Sequence, residues 1–176
     1  MPSKPALSAS PKQEPRLTPP KPWVIALVLA ALIGISAIGL VRENQREVQS
    51  VTQGLQLFDA SADQPLRGRL IGHDEALPIA ATRCTNCHVA GPAAKEAATT
   101  VLDSNRFGPA LNAVWLTQAK QRRGGPPSTY DVKTFCKLLR QGIDPALVLI
   151  NQTMPNYAIT DAQCADVWVY LNRRTS

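Results

Sequence analysis

Cys84-Thr85-Asn86-Cys87-His88 is the stretch on which the reading of this chain turns. Two cysteines three positions apart, followed at once by a histidine, have the C-x-x-C-H spacing used to attach a haem covalently. On a short helical turn each sulfur can add to one vinyl group of the porphyrin, while the adjacent imidazole is carried under the iron as an axial ligand. With four cysteines and two histidines among 176 residues, the pattern would arise by accident roughly 0.001 times per chain. Zinc and a redox dithiol are the competing readings. Zinc needs two more ligands, and Cys136 and Cys164 each stand apart from any second ligand at short spacing. A redox dithiol calls for a βαβ setting, and none is visible.

A six-coordinate iron needs a second side chain. The chain has two methionines, Met1 and Met154. Met154 is the candidate, set in Thr153-Met154-Pro155-Asn156-Tyr157 between an apolar run ending at Ile150 and a well-signalled last helix, where Pro155 would hold the thioether. A lone methionine is otherwise core filler. The rival ligand, His73, lies in the polar stretch Ile71-Gly72-His73-Asp74-Glu75 and reads as a solvated loop histidine.

Upstream, seven of the 15 prolines fall within residues 1–22, with Lys4, Lys12, Arg16 and Lys21 against Glu14. Such a segment cannot sustain a helix longer than a turn or two and reads as a disordered tail. Residues 23–41 (WVIALVLAALIGISAIGLV) carry no charge. At 1.5 Å per residue they span about 28 Å, close to the hydrocarbon thickness of a bilayer, so one transmembrane helix is expected. The basic residues before it, against a flank of Arg42, Glu43, Arg46 and Glu47 that sums to zero, put the tail in the cytoplasm. A cleaved signal peptide, cut after Ala37-Ile38-Gly39, is the alternative, but the run exceeds a signal's apolar core. Either way the rest of the chain is exported to an oxidising compartment, the periplasmic side of an inner membrane. Residues 42–65 read as a stalk or linker, helical through Val48, Val51 and Leu55, with Gly54 weakening the signal.

In the remaining domain, 66–176, Asp131 to Gln141 reads as a helix stopped by Gly142 and Ile143-Asp144-Pro145. Thr160-Asp161-Ala162-Gln163 fits a capping box, with Cys164, Val167, Trp168 and Leu171 on the buried stripe of a helix over 161–173. No alternating strand pattern follows Val41, so the domain is expected to be all-α. Cys136 and Cys164 fall on the apolar sides of these two helices; in an exported domain a disulfide between them is expected, two buried thiols being the alternative.

These features together resemble the class I c-type cytochromes, in a single-haem, membrane-anchored bacterial form. The resemblance covers about residues 66–176 and follows that family's order: Leu77 to His88, Gly108-Pro109-Ala110-Leu111, 131–141, Met154-Pro155 and 161–173. It implies a cytochrome c-like haem domain in which the Pro109 carbonyl accepts the proton of the His88 ring nitrogen away from iron, and in which Val167 and Tyr170 pack the last helix onto the first. The long segment Val89 to Phe107 and the run Arg122-Arg123-Gly124-Gly125-Pro126-Pro127 depart from the family's pattern, as partner surfaces or plain loops.

The expected cofactor is one covalently attached haem c, held by Cys84, Cys87, His88 and Met154, with Pro109 and Trp115 beside it; an indole donor needs a partner when buried. Lys120, Arg122 and Arg123 form a basic cluster able to meet propionates or an acidic partner, or else a solvated loop. A His and Met pair leaves no open position on iron and favours the ferrous state, which suits electron transfer and not catalysis. The expected function is therefore single-electron transfer from a dehydrogenase donor to an oxidase or other acceptor. A haem subunit of a larger dehydrogenase or oxidase complex is the alternative, and a haem sensor a third, requiring Met154 to dissociate. Nucleic acid is not an expected partner: the pI of about 9.4 derives partly from the tail, and no interleaving of basic and aromatic residues is present.

Overall fold

The computed structural model of the protein describes residues 21–90, 108–122 and 124–173. The proline-rich tail, most of the Val89–Phe107 segment and Arg123 lie outside the described residues. The chain divides into two compact units, residues 1–41 and 42–176. Helix α1 spans Pro22–Asp59. In the first unit its apolar side chains are exposed, Ile33 by 70% and Leu40 by 69%. This is one helix long and apolar enough to cross a membrane, and an all-round apolar surface is what a lipid-facing helix requires.

In the second unit the same helix becomes one-sided. Leu57 and Phe58 join the core, and Phe58 is only 2% exposed. They meet α4, Asp161–Asn172, where the Phe58 and Tyr170 rings lie 5.6 Å apart at 54°. Gly54 makes this approach possible: an added Cβ would come within 2.7 Å of the Tyr170 Cβ and of the Asp166 carbonyl carbon, and closer still to the Asp166 oxygen. The glycine that weakened the helical signal is thus a packing residue in mid-helix. The last helix does pack Val167 and Tyr170 inward, with α1 supplying the ring opposite Tyr170. The expected helix over Leu77 to His88 is instead two 3-10 turns, Ile79–Ala81 and Cys84–Asn86. The compact unit accordingly begins upstream of residue 66.

The remaining helices are α2, Ala113–Thr117, and α3, Val132–Gln141. Asp131 caps α3 by accepting from the Thr134 N–H at 2.7 Å, and Gly142 ends it at φ +67°, a conformation costly for any residue with a Cβ. Thr160 and Gln163 cap α4 reciprocally. Helices α3 and α4 are bonded through the Cys136–Cys164 disulfide, and Phe135 and Trp168 pack beside it with ring centroids 5.5 Å apart.

The domain is helix-rich but not all-α. Strands β1, Arg67–Arg69, and β2, Asn156–Ala158, pair antiparallel with Gly68 opposite Tyr157. Three residues are too few for the alternation that marks a strand in sequence, so only the tertiary pairing reveals them. Gly68 is needed at this point, because a Cβ there would sit 3.0 Å from Pro155 and 3.2 Å from Thr82.

Two stability effects follow. Gly54→Ala is expected to destabilise the domain by about 1–3 kcal/mol, the usual cost of forcing extra volume into a packed contact, read as a lower thermal midpoint of the full chain in detergent. The Asp131 carboxyl is held below the usual carboxylate range by hydrogen bonds from Thr134. Its contribution is therefore present above the unfolded-state value and lost as pH falls through the native one. Asp131→Asn, an uncharged cap, should flatten that acid limb of a stability-versus-pH curve.

Candidate haem-attachment site

The Cys84–His88 segment is shaped by its own backbone. The Cys87 and His88 N–H groups both donate to the Cys84 carbonyl, at 3.2 and 2.9 Å, closing a tight turn. The Asn86 side chain ties that turn to the Ala80 carbonyl at 2.8 Å. Segment 108–111 is then drawn alongside: Gly108 N–H donates to the Cys87 carbonyl at 3.1 Å, and Leu111 N–H to the Val89 carbonyl at 2.7 Å.

The result orients His88. Its Nδ1 lies 2.8 Å from the Pro109 carbonyl oxygen. A carbonyl only accepts, so Nδ1 carries the proton and Nε2 keeps the lone pair that binds a metal. Burial also holds the imidazole below its usual pKa, against the opposing pull of the Pro109 carbonyl. The neutral form is the ligating one. Gly108 leaves room for the ring: an added Cβ would fall 2.8 Å from Nε2 and nearer still to Nδ1 and Cε1.

Cys84, Cys87 and His88 line a cavity of about 410 Å³, together with Pro109, Trp115 and Met154. Six residues singled out from the sequence, separated by up to 70 positions, thus line one cavity. The volume lies in the range of small-molecule and cofactor sites. Much of the remaining lining is aliphatic, including Leu116, Leu138, Leu139 and Leu171, which suits a flat apolar ring system. The donor set suits iron porphyrin as well: two thiols for vinyl addition, an imidazole with a free Nε2, and a thioether. His73, by contrast, is exposed and is not part of the wall. Cys136 and Cys164, being bonded to each other, cannot complete a zinc site with Cys84 and Cys87.

Other residues on this wall carry weaker sequence signals. Tyr157, from β2, is buried; its hydroxyl lies 3.1 Å from the Thr82 carbonyl and also contacts the Cys84 thiol. Burial pushes that thiol up to about 11 and raises the tyrosine as well, so both stay protonated. Arg122 is only 8% exposed, a rare position for a guanidinium. Its Nη2 donates to the Trp115 carbonyl at 2.5 Å, and its Nη1 to those of Lys120 and Ser128. The guanidinium also lies over the Tyr130 ring, 4.9 Å from its centroid, while Lys120 Nζ sits 4.7 Å from the centroid of Trp115. Arg122 Nε has no partner and neither does Asp144 Oδ2, though both residues are buried and line the cavity. A buried arginine or aspartate is marked in sequence only as a charge, and charges are usually solvated.

Gly108→Ala should displace the His88 ring and break its bond to Pro109. In nitrogen-detected NMR of the folded protein, the protected Nδ1–H signal of His88 should disappear. An unchanged signal would show that the ring has another place to go.

Comparison with protein-family models, with curated proteins and with solved structures finds no match to this chain.

Proposed function

We propose that the protein is a membrane-anchored monohaem c-type cytochrome that passes single electrons between protein partners. The observation that carries this reading is the shared cavity: the contiguous Cys84, Cys87 and His88 line the same largely apolar space as Met154, 66 positions beyond His88. Bound there, iron porphyrin supplies reversible one-electron chemistry between the ferric and ferrous states.

The chain's own residues do the rest. Cys84 and Cys87 would hold the group through thioether bonds, and His88, oriented by Pro109, would ligate iron through Nε2. Met154 would supply the second ligand, and its thioether would favour the ferrous state. Arg122 and Trp115, both on the cavity lining, would lie toward the propionates. The largely apolar lining would limit water at the metal.

Anchorage by α1 with the domain on the periplasmic side agrees with the basic flank before the apolar run and with a disulfide, which persists in an oxidising compartment. Partners in keeping with that place are a dehydrogenase as donor and an oxidase as acceptor. The charge from residue 54 onward, 13 basic against 10 acidic side chains, makes long-range steering weak and docking local.

Made in a host able to attach haem, the full chain should stay coloured after denaturation and acid-acetone extraction. A colourless protein would overturn the reading. Met154→Ala should keep the covalent haem, lower its potential and let the reduced protein bind carbon monoxide; unchanged spectra would remove Met154 as a ligand.

A further inference from the structure

The backbone bonds around Met154 lead in two directions. Before it they are local or run to the end of α3: the Met154 N–H donates to the Asn151 carbonyl at 3.0 Å, and the Ile150 N–H to that of Gly142 at 2.8 Å. After it they lead toward Cys84. Pro155 packs where Gly68 has no side chain, its Cβ lying 3.0 Å from the place an added Cβ would take. Strand β2 then pairs with β1, Gly68 opposite Tyr157. The Leu77 N–H fixes β1 in turn, donating to the Gly68 carbonyl at 2.8 Å.

Two three-residue strands cannot hold such a register by themselves, since even a full two-stranded hairpin is only marginally stable in water. The Tyr157 side chain supplies a further tie. Its hydroxyl donates to the Thr82 carbonyl at 3.1 Å in buried surroundings and contacts the Cys84 thiol. Thr82 is 2% exposed, and its own hydroxyl donates to the Leu66 and Ile79 carbonyls, at 3.0 and 2.9 Å. A single buried residue two positions before Cys84 thus gathers the entry to β1, the first 3-10 turn and β2. Removing the tyrosine donor would strand a buried carbonyl, which costs more than the bond contributes net.

We propose that Tyr157 is a positioning residue for Met154: its bond to the Thr82 carbonyl holds β2, and with it the Met154-Pro155 turn, in register with the Cys84–His88 segment, and so slows the departure of the thioether from iron. The proposal rests on the haem reading of the cavity. Tyr157 acts through Met154 and need not touch the metal. The coupling is reciprocal, because a bond that favours thioether ligation must itself be favoured by it.

The test uses the full-length haem protein in detergent, reduced and mixed with saturating carbon monoxide. The thioether must leave iron as a neutral ligand before carbon monoxide takes its place, and no proton or electron moves, so the limiting rate reads the departure of Met154. Tyr157→Phe keeps the ring and removes the hydroxyl. It should raise that rate about tenfold, the effect expected of leaving one buried carbonyl unsatisfied. Thr134→Ala removes bonds at the α3 cap and leaves the Tyr157 bond in place; it should lower the thermal midpoint with the rate unchanged. Equal rates in native protein and Tyr157→Phe, or equal acceleration in both variants, would overturn the proposal. Should Tyr157→Phe fail to mature, NMR of native reduced protein carrying labelled tyrosine decides the matter. The Tyr157 hydroxyl proton should exchange with solvent more slowly while Met154 is on iron than after carbon monoxide has displaced it, and equal exchange refutes the coupling. A protein without covalent haem would remove the underlying reading; a haem protein whose Tyr157→Phe variant keeps the native rate would remove this proposal alone.

Discussion

The hydrogen bond between His88 Nδ1 and the Pro109 carbonyl, 2.8 Å long, is the contact on which the candidate site depends. It fixes a tautomer, aims a ring and joins two parts of the chain at once. It exists because Gly108 has no side chain to occupy the ring's place, and because the N–H groups of Gly108 and Leu111 clip their segment to the Cys87 and Val89 carbonyls. From Leu111 the chain passes to Asn112, whose side chain caps α2, and so to Trp115 and the nearly inaccessible Leu116. One stretch of backbone thus sets the imidazole and carries Trp115 and Leu116 to the lining of the same cavity.

The second constraint is the division of labour along α1. Its first half is apolar on every side, whereas its second half buries Leu57 and Phe58 and exposes polar residues. A helix long and apolar enough to cross a membrane over its first half only has to change its pattern where the buried contacts begin. Gly54, costly in an isolated helix, is repaid by the close approach of α4 that it permits; nothing larger fits against the Asp166 carbonyl.

Buried charge is the third theme. Arg122 and Asp144 sit where apolar residues would pack more cheaply. Arg122 is held in place by three carbonyls and aromatic faces, and Asp144 by the backbone it caps. Each keeps one buried atom without a partner.

Much of this was legible in the sequence wherever the governing contacts are local. The turn at 84–88, the caps at Asp131 and Thr160, the stop at Gly142 and the apolar run over 23–41 all depend on residues a few positions apart. The three-residue strands, the 3-10 turns in place of a helix before Cys84, and the role of Gly54 were not, because each is decided by a partner far along the chain. The sequence by itself determined which side chains could bind, cap or cross a membrane. Only the tertiary structure decided that Met154, Arg122 and Asp144 line the same cavity as the Cys84–His88 turn. Side-chain chemistry is written residue by residue, but proximity arises only when distant segments are packed together.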